Sequence, residues 1–205
     1  MKSLAILAVL LLGAGTCAEA QRLSPHVPPP GTWSLTLSGG MIGMGSDLTQ
    51  VQSEYRYRPM ASLLIMRMLR SSFQVGVALG GGQIAAERDV VSSKVPMGTA
   101  LAHAEYRVPL LQGQLSPLVF AQAGMIIAVP SVTTNGVRTT HDATLAPAYG
   151  GGFGLEFLHR RRYGVRFMVG GLLTGSDNLD GIEQGDRKDG AAWATLGITW
   201  FPFSR

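Results

Sequence analysis

Residues 191–203, AAWATLGITWFPF, alternate between two kinds of side chain close to the end of the sequence. One face takes Trp193, Thr195, Gly197 and Thr199, and the other takes Ala192, Ala194, Leu196, Ile198 and Trp200. A period of two predicts a β-strand with two unlike faces. Because a strand of this composition would be adhesive if its edge stayed free, we expect it to close a sheet into a barrel.

The same alternation recurs in earlier segments of the chain. The predicted strands lie in residues 32–44, 54–70, 73–85, 97–110, 116–129, 146–159 and 164–174, before the terminal strand. The connections between these strands alternate between long and short. The long polar ones lie at 45–53, 86–96, 130–145 and 175–190, and the short ones lie at 71–72, 111–115 and 160–163. The third long stretch carries Asn135-Gly136, a pair typical of tight hairpin turns.

This order predicts an all-β fold, an eight-stranded antiparallel up-and-down transmembrane β-barrel. In an up-and-down sheet alternate connections lie at the same end, so four long loops should share one end and three short turns the other. Segments of about ten residues are long enough to cross a bilayer at a tilt.

The composition also favours a membrane protein. Hydrophobic residues make up 46% of the chain and charged residues only 15%, against about 25% in soluble domains. Such low charge leaves too few side chains to solvate a water-facing surface. The basic balance is mild, with 17 Lys and Arg against 13 Asp and Glu. No basic cluster is interleaved with aromatic residues in the way that a nucleic-acid-binding face is, so no nucleic acid partner is expected.

The first thirty residues predict export. Residues 1–20 combine Lys2, an apolar run at 4–12 and the end Ala18-Glu19-Ala20, the pattern of a cleaved signal peptide. Cys17 invites a lipoprotein alternative, which the preceding Thr16 fits poorly. Residues 21–30 form a proline-rich tail, and 31–205 form the barrel domain.

The terminal strand also carries a recognisable signal of the form polar, any, Gly, any, any, aromatic, any, aromatic. Thr195, Gly197 and Trp200 match it, Pro202 stands at the last aromatic position, and Phe203 or Phe201 substitutes there. With this signal, residues 31–203 resemble the OmpA/OmpX-like family of small outer-membrane β-barrels. The resemblance implies an outer-membrane location and, as partners, membrane lipid and lipopolysaccharide, the barrel-insertion machinery and periplasmic chaperones. It implies a monomer without enzymatic activity, cofactor or metal.

Charged and polar residues on the predicted lumen faces are expected to pair with one another. The set is Arg56, Arg58, His103, Glu105, Arg107, Gln122, Glu156 and Arg166. In an eight-stranded barrel the interior is just wide enough for side chains to fill, so these residues should plug the lumen rather than line an open pore.

Aromatic residues near the strand ends are candidates for the girdles at the two membrane interfaces. They are Trp33, Tyr55, Tyr57, Tyr106, Tyr149, Phe157 and Trp200.

The expected function is structural, adhesive or recognitional, through the outer loops. One alternative is a secreted lipocalin-like barrel that binds a small hydrophobic ligand, suggested by the G-x-W motif at residues 31–33. Another is an enzyme that modifies lipid A, but the residues two positions after His103 and His141 are Glu105 and Ala143 rather than the serine such enzymes use. A calcium site in the last loop fails because Arg187 stands where a bidentate glutamate is required.

Overall fold

The computed structural model describes residues 27–45, 57–88, 91–159, 162–175 and 190–202. The predicted signal peptide and most of the proline-rich tail lie outside this part of the chain. The described residues form ten strands: β1 (Trp33–Gly45), β2 (Arg58–Arg70), β3 (Phe73–Arg88), β4 (Val91–Arg107), β5 (Leu115–Ala128), β6 (Ser131–Thr134), β7 (Val137–Thr140), β8 (Thr144–His159), β9 (Tyr163–Thr174) and β10 (Gly190–Trp200). They contain no helix with the length and apolarity needed to span a membrane.

Eight of these strands close into a barrel, which confirms the predicted fold class. Each long strand pairs antiparallel with its neighbour, and β1 pairs with β10, with Leu37 opposite Ile198. We call the end that carries the β2–β3, β4–β5 and β8–β9 connections and the described chain ends the turn end. We call the opposite end the loop end.

Two stretches expected to be polar loops are strands instead. β3 and β4 continue as a hairpin through residues 86–88 and 91–96, so the predicted loop at 86–96 is wrong. Within 130–145, β6 and β7 form a second hairpin, and β6 pairs with β4 from Val91 to Lys94. Asn135 and Gly136, with φ of 50° and 82°, make its turn. Polar composition here marks chain beyond the barrel wall rather than absence of a strand.

The apolar face of the barrel wall points outward. In β10, Leu196 and Ile198 are 60% and 65% exposed, whereas Thr195 and Thr199 on the opposite face are 4% and 0% exposed. Exposed apolar side chains alternate with buried ones in the same way on the other wall strands. A continuous surface of this kind requires lipid rather than water around it. The secreted lipocalin-like alternative, which needs a water-facing wall, does not fit.

The lumen is divided into two layers. Charged side chains fill the turn end, and an apolar cluster fills the loop end. The cluster consists of Ile42, Ile84, Val95, Leu101, Ile126, Ala128, Ala146, Ala148 and Leu172. The ion-paired residues expected to plug the lumen therefore occupy only its turn end, and apolar side chains occupy the other end.

Candidate functional site

Four buried charged residues form the floor of the lumen. Glu105 and Arg107 are two residues apart on β4 and therefore share a face, and Glu156 of β8 is the direct register partner of Arg166 on β9. All four side chains are 0–1% exposed. We call this group, with two negative and two positive charges, the lumen ion network.

Each carboxylate of the network contacts both arginines. Glu105 lies 2.9 Å from Arg107 Nη2 and 2.9 Å from Arg166 Nη1. Glu156 lies 2.8 Å from Arg107 Nη1, and its Oε1 accepts hydrogen bonds from Arg166 Nη2 at 2.7 Å and Nε at 3.0 Å. The charges balance within the ring, which offsets the large cost of removing them from water.

Gln74, which was not among the predicted lumen residues, completes this floor. It lies on β3 opposite Glu105 and is fully buried. With its amide oxygen facing Arg107, it accepts hydrogen bonds from Nη2 at 2.7 Å and Nη1 at 3.2 Å. The alternation along β3 could have identified it, because Gln74 falls on the same predicted face of that strand as the inward glycines.

Above the network, His103 begins a stack of aromatic rings. Its ring lies 5.1 Å from that of Phe120 at 17°, and Phe120 lies 5.5 Å from Trp193 at 29°. Inward glycines on the neighbouring strands leave room for these rings: Gly152 is the register partner of Phe120, and Gly170 is that of Trp193. A Cβ at Gly170 would lie 2.8 Å from Trp193 and 2.9 Å from Phe120, and one at Gly152 would lie 2.7 Å from Phe120.

His103 is 3% exposed, and neither of its ring nitrogens has a hydrogen-bond partner among the described residues. Its Nε2 lies 3.7 Å from Glu105 Oε2, which is too long for a hydrogen bond. Burying a polar group without a hydrogen bond costs free energy, so the burial of the His103 imidazole is not compensated by a hydrogen bond to the described protein.

The remaining residues of the predicted network do not join it. Arg58 lies opposite Ile42, at the loop end, and its Nε has no hydrogen-bond partner within the described ranges. Gln122 is the register partner of His103 and lines a cavity above the network. Arg56 lies outside the described residues. Sequence parity identified the inward face but not the height of each residue along the barrel axis.

That cavity has a volume of about 60 Å³ and lies between the lumen ion network and the apolar cluster. Its polar lining side chains are Ser38, Ser62, Thr99, Thr195, His103 and Gln122. Apolar contacts come from Leu64, Leu101, Met168 and Trp193, among others. Among the described residues there is no group of three or more His, Cys, Asp or Glu that could hold a metal ion.

The predicted interface aromatics all face outward where they are described. Trp33, Tyr106, Phe157 and Trp200 lie at the turn end, Tyr57 and Tyr149 lie nearer the loop end, and Tyr55 is outside the described residues. Two aromatics that the sequence analysis did not select join the turn-end group: Phe73 pairs with Tyr106, and Tyr163 pairs with Trp200. Arg67 lies 5.7 Å above the Trp33 ring at the same level.

In the C-terminal signal, Thr195 and Gly197 face the lumen and Trp200 faces outward. Phe201 does not supply the missing outward aromatic, because its side chain is buried and its N–H donates to Arg162 O at 2.8 Å. Phe203 lies outside the described residues.

Comparison with known proteins identifies the architecture. No family model matches the sequence, and no curated protein matches it. Among solved structures, Neisserial surface protein A matches with a TM-score of 0.58 and 9% identity, over 82% of this chain and 96% of that one. Ail, the attachment invasion locus protein of Yersinia pestis, matches with a TM-score of 0.54 and 11% identity, over 83% of this chain and 98% of that one. A second Ail structure, in complex with the heparin analogue sucrose octasulfate, matches with a TM-score of 0.54 and 12% identity.

The chain folds as a small outer-membrane β-barrel. The likeness covers about four fifths of this chain and nearly all of each matched barrel, and it agrees with the OmpA/OmpX-like resemblance of the sequence. The outward apolar wall and the turn-end aromatics are consistent with this fold, because outer-membrane barrels carry an outward apolar band bordered by aromatic residues.

Proposed function

We propose that this outer-membrane β-barrel serves an adhesive or recognition role through its loop end, which faces the outside of the cell. The observation that carries the proposal is a sheet that projects from the barrel at that end. β3 leaves its pairing with β2 at Gly82 but continues to Arg88, and β4 leaves β5 at Met97 but continues to Val91. The β6–β7 hairpin extends this sheet along β4.

The projecting sheet presents side chains to solvent. All four residues of β7 are exposed, and Val137 is 70% exposed. Arg138 is held by a 2.7 Å hydrogen bond from its Nε to Ser131 Oγ. A surface that is ordered before binding costs less conformational entropy when a partner docks than a flexible loop does.

We further propose that the barrel is not an open pore. The lumen ion network blocks the turn end, and the apolar cluster fills the loop end. Ions would have to displace paired charges and then cross an apolar layer. The barrel thus supports display rather than transport.

Ail, whose name records attachment and invasion, has a similar fold, which makes adhesion compatible with this architecture. For the chain itself, the test uses bacteria that carry the full-length protein and host cells as the binding surface. The expected result is greater attachment than with bacteria lacking the protein, and loss of that gain when residues 131–140 are replaced by a short Gly-Ser linker. Equal attachment of all strains would contradict the adhesive role.

A matched control changes the turn end instead. Leu111→Ser alters an exposed residue on the opposite side of the membrane, so it should leave attachment unchanged. Planar bilayer recordings test the second part of the proposal: the purified barrel should add no steady conductance, and a stable open channel would contradict a sealed lumen.

We also propose membrane lipid and lipopolysaccharide as the surroundings of the wall, and the insertion machinery with periplasmic chaperones as assembly partners. The outward Trp200 at the end of β10 supports this proposal because assembly signals present aromatics at that position. Trp200→Ser should lower the amount of folded protein in outer membranes, and unchanged levels would contradict the role of this residue.

A further inference from the structure

We propose that the cavity above the lumen ion network is a binding site for a small neutral molecule with a short alkyl chain and one hydroxyl-type group. This proposal does not rest on the adhesive role proposed for the loop end. Three features of the cavity specify the ligand: its shape, its charge and its unsatisfied polar group.

The shape follows from small residues on one side of the lumen. The inward positions of β3 between Gln74 and Ile84 are Gly76, Ala78, Gly80 and Gly82. The opposite side is filled by Trp193, Met168 and Leu172, and the cavity lies between the two. Its lining extends from the row of His103 up to the row of Gly82 and Met97, six residues along the strand, so the space is narrow and elongated.

The volume limits the ligand to a few non-hydrogen atoms. A water molecule needs roughly 10–15 Å³ measured in this way, and a cavity of about 150 Å³ holds benzene. At about 60 Å³ the space in this barrel suits a short unbranched chain rather than a ring. Apolar atoms of Leu64, Leu101 and Met168 supply the walls for such a chain.

The charge of the site favours a neutral molecule. None of the residues lining the cavity is Asp, Glu, Lys or Arg. The lumen ion network below is balanced within itself, so it offers no free charge to a ligand. An ionised group placed here would be buried without a counter-charge.

The unsatisfied polar group is the His103 imidazole, which lines the cavity and whose two ring nitrogens have no hydrogen-bond partner in the part of the chain that the structure describes. Stacking on Phe120 holds the ring in place. A neutral imidazole has one donor and one acceptor nitrogen, and a hydroxyl group can pair with either. A ligand hydroxyl at this ring thus satisfies a buried group that the protein leaves unpaired.

The experiment uses the full barrel in lipid nanodiscs, labelled at the methionine methyl groups, with 1-propanol and xenon as probes. Both probes fit the space, and only 1-propanol can hydrogen-bond. The methyl resonances of the lining residues Met60, Met97 and Met168 should shift and saturate with each probe. The buried Met68, which does not line the cavity, serves as the internal reference and should not shift.

Two variants separate the hydrogen bond from the space. His103→Phe keeps the stacked ring but removes one hydrogen bond. The variant should therefore bind 1-propanol about tenfold more weakly and bind xenon as tightly as the wild type does. Ala78→Leu fills the cavity and should abolish saturable shifts with both probes. Ala102→Leu adds the same volume on the outer face of β4 and should change neither.

Only protein that shifts on gels between unheated and boiled samples, and is therefore folded, is measured. If Ala78→Leu does not fold, Ser62→Leu fills the same cavity from β2. Shifts that do not saturate, a cavity that holds only ordered water, or equal 1-propanol binding by the wild type and His103→Phe would each overturn the proposal.

Discussion

Replacing Glu105 by Gln should strongly destabilise the barrel. The Glu105 carboxylate contacts Arg107 at 2.9 Å and Arg166 at 2.9 and 3.4 Å, and the side chain is fully buried. Glutamine has nearly the same shape but no charge, so the variant leaves two buried arginines with the single carboxylate of Glu156. Breaking a buried ion pair in this way costs about 3–5 kcal/mol.

The assay is equilibrium unfolding in urea of the barrel reconstituted in lipid, followed by tryptophan fluorescence. With a slope of about 2 kcal/mol per molar urea, the midpoint should fall by about 2 M. The control is the double variant Glu105→Gln with Arg107→Gln, which restores charge balance and leaves Glu156 paired with Arg166 at 2.7 Å. Its loss of stability should be smaller than the sum of the two single losses by about 1–3 kcal/mol. A midpoint unchanged in Glu105→Gln, or strict additivity in the double variant, would refute the balanced-network reasoning.

Three further predictions probe the wall, the aromatic stack and the projecting sheet. Gly170→Ala places a Cβ 2.8 Å from Trp193 and should lower the free energy of unfolding by about 1–3 kcal/mol. Gly171→Ala is the control and should lower it less, because its Cβ would lie 3.5 Å from Ala191 O. Equal losses of the two variants in urea unfolding would contradict the packing of the aromatic stack. Leu196→Arg puts a charge on the exposed outer face of β10, four residues from Trp200, and should cost about 2–4 kcal/mol in lipid, while Thr139→Arg on β7 should be neutral; similar values for both would argue against a lipid-facing wall. Gly136→Ala strains a turn with φ of 82° and should cost about 1 kcal/mol locally, seen as faster amide exchange in residues 131–140 without a change in barrel stability; unaltered exchange would speak against the turn.

Alternation was sufficient to predict the barrel and its up-and-down strand order, and it assigned the two faces of a strand wherever it held, because the period of two is imposed by the strand itself. It was insufficient for the ends of the strands. The polar residues Glu87, Arg88 and Lys94 favour a loop by composition, yet β3 and β4 pass through them. Polar composition shows that a segment is surrounded by water rather than lipid, but it does not show that the segment is unpaired. A strand that continues beyond the membrane is polar and still pairs with its neighbour.

The candidate site was predictable in part for the same reason. Glu105 and Arg107 share a face by spacing, and Glu156 and Arg166 fall on inward positions, so their meeting required only the correct closure of the sheet. The separation of Arg58 from this group depends on strand register, which sequence periodicity does not supply. The cavity depended on the volumes of residues from different strands, such as Ala78 and Trp193, that only the closed barrel brings to one level.

The most direct test of the closed barrel is a cross-link between its first and last strands in outer membranes. Leu37 and Ile198 are direct partners of β1 and β10, and both point outward, so Leu37→Cys with Ile198→Cys has the Cα separation that a disulfide needs. Leu37→Cys with Leu196→Cys is the control, because this diagonal pair is about 7–8 Å apart. The account predicts efficient oxidation of the first pair in the outer-membrane fraction and little of the second. Absence of the first cross-link in that fraction, or equal cross-linking of both pairs, would contradict the closed barrel in its membrane.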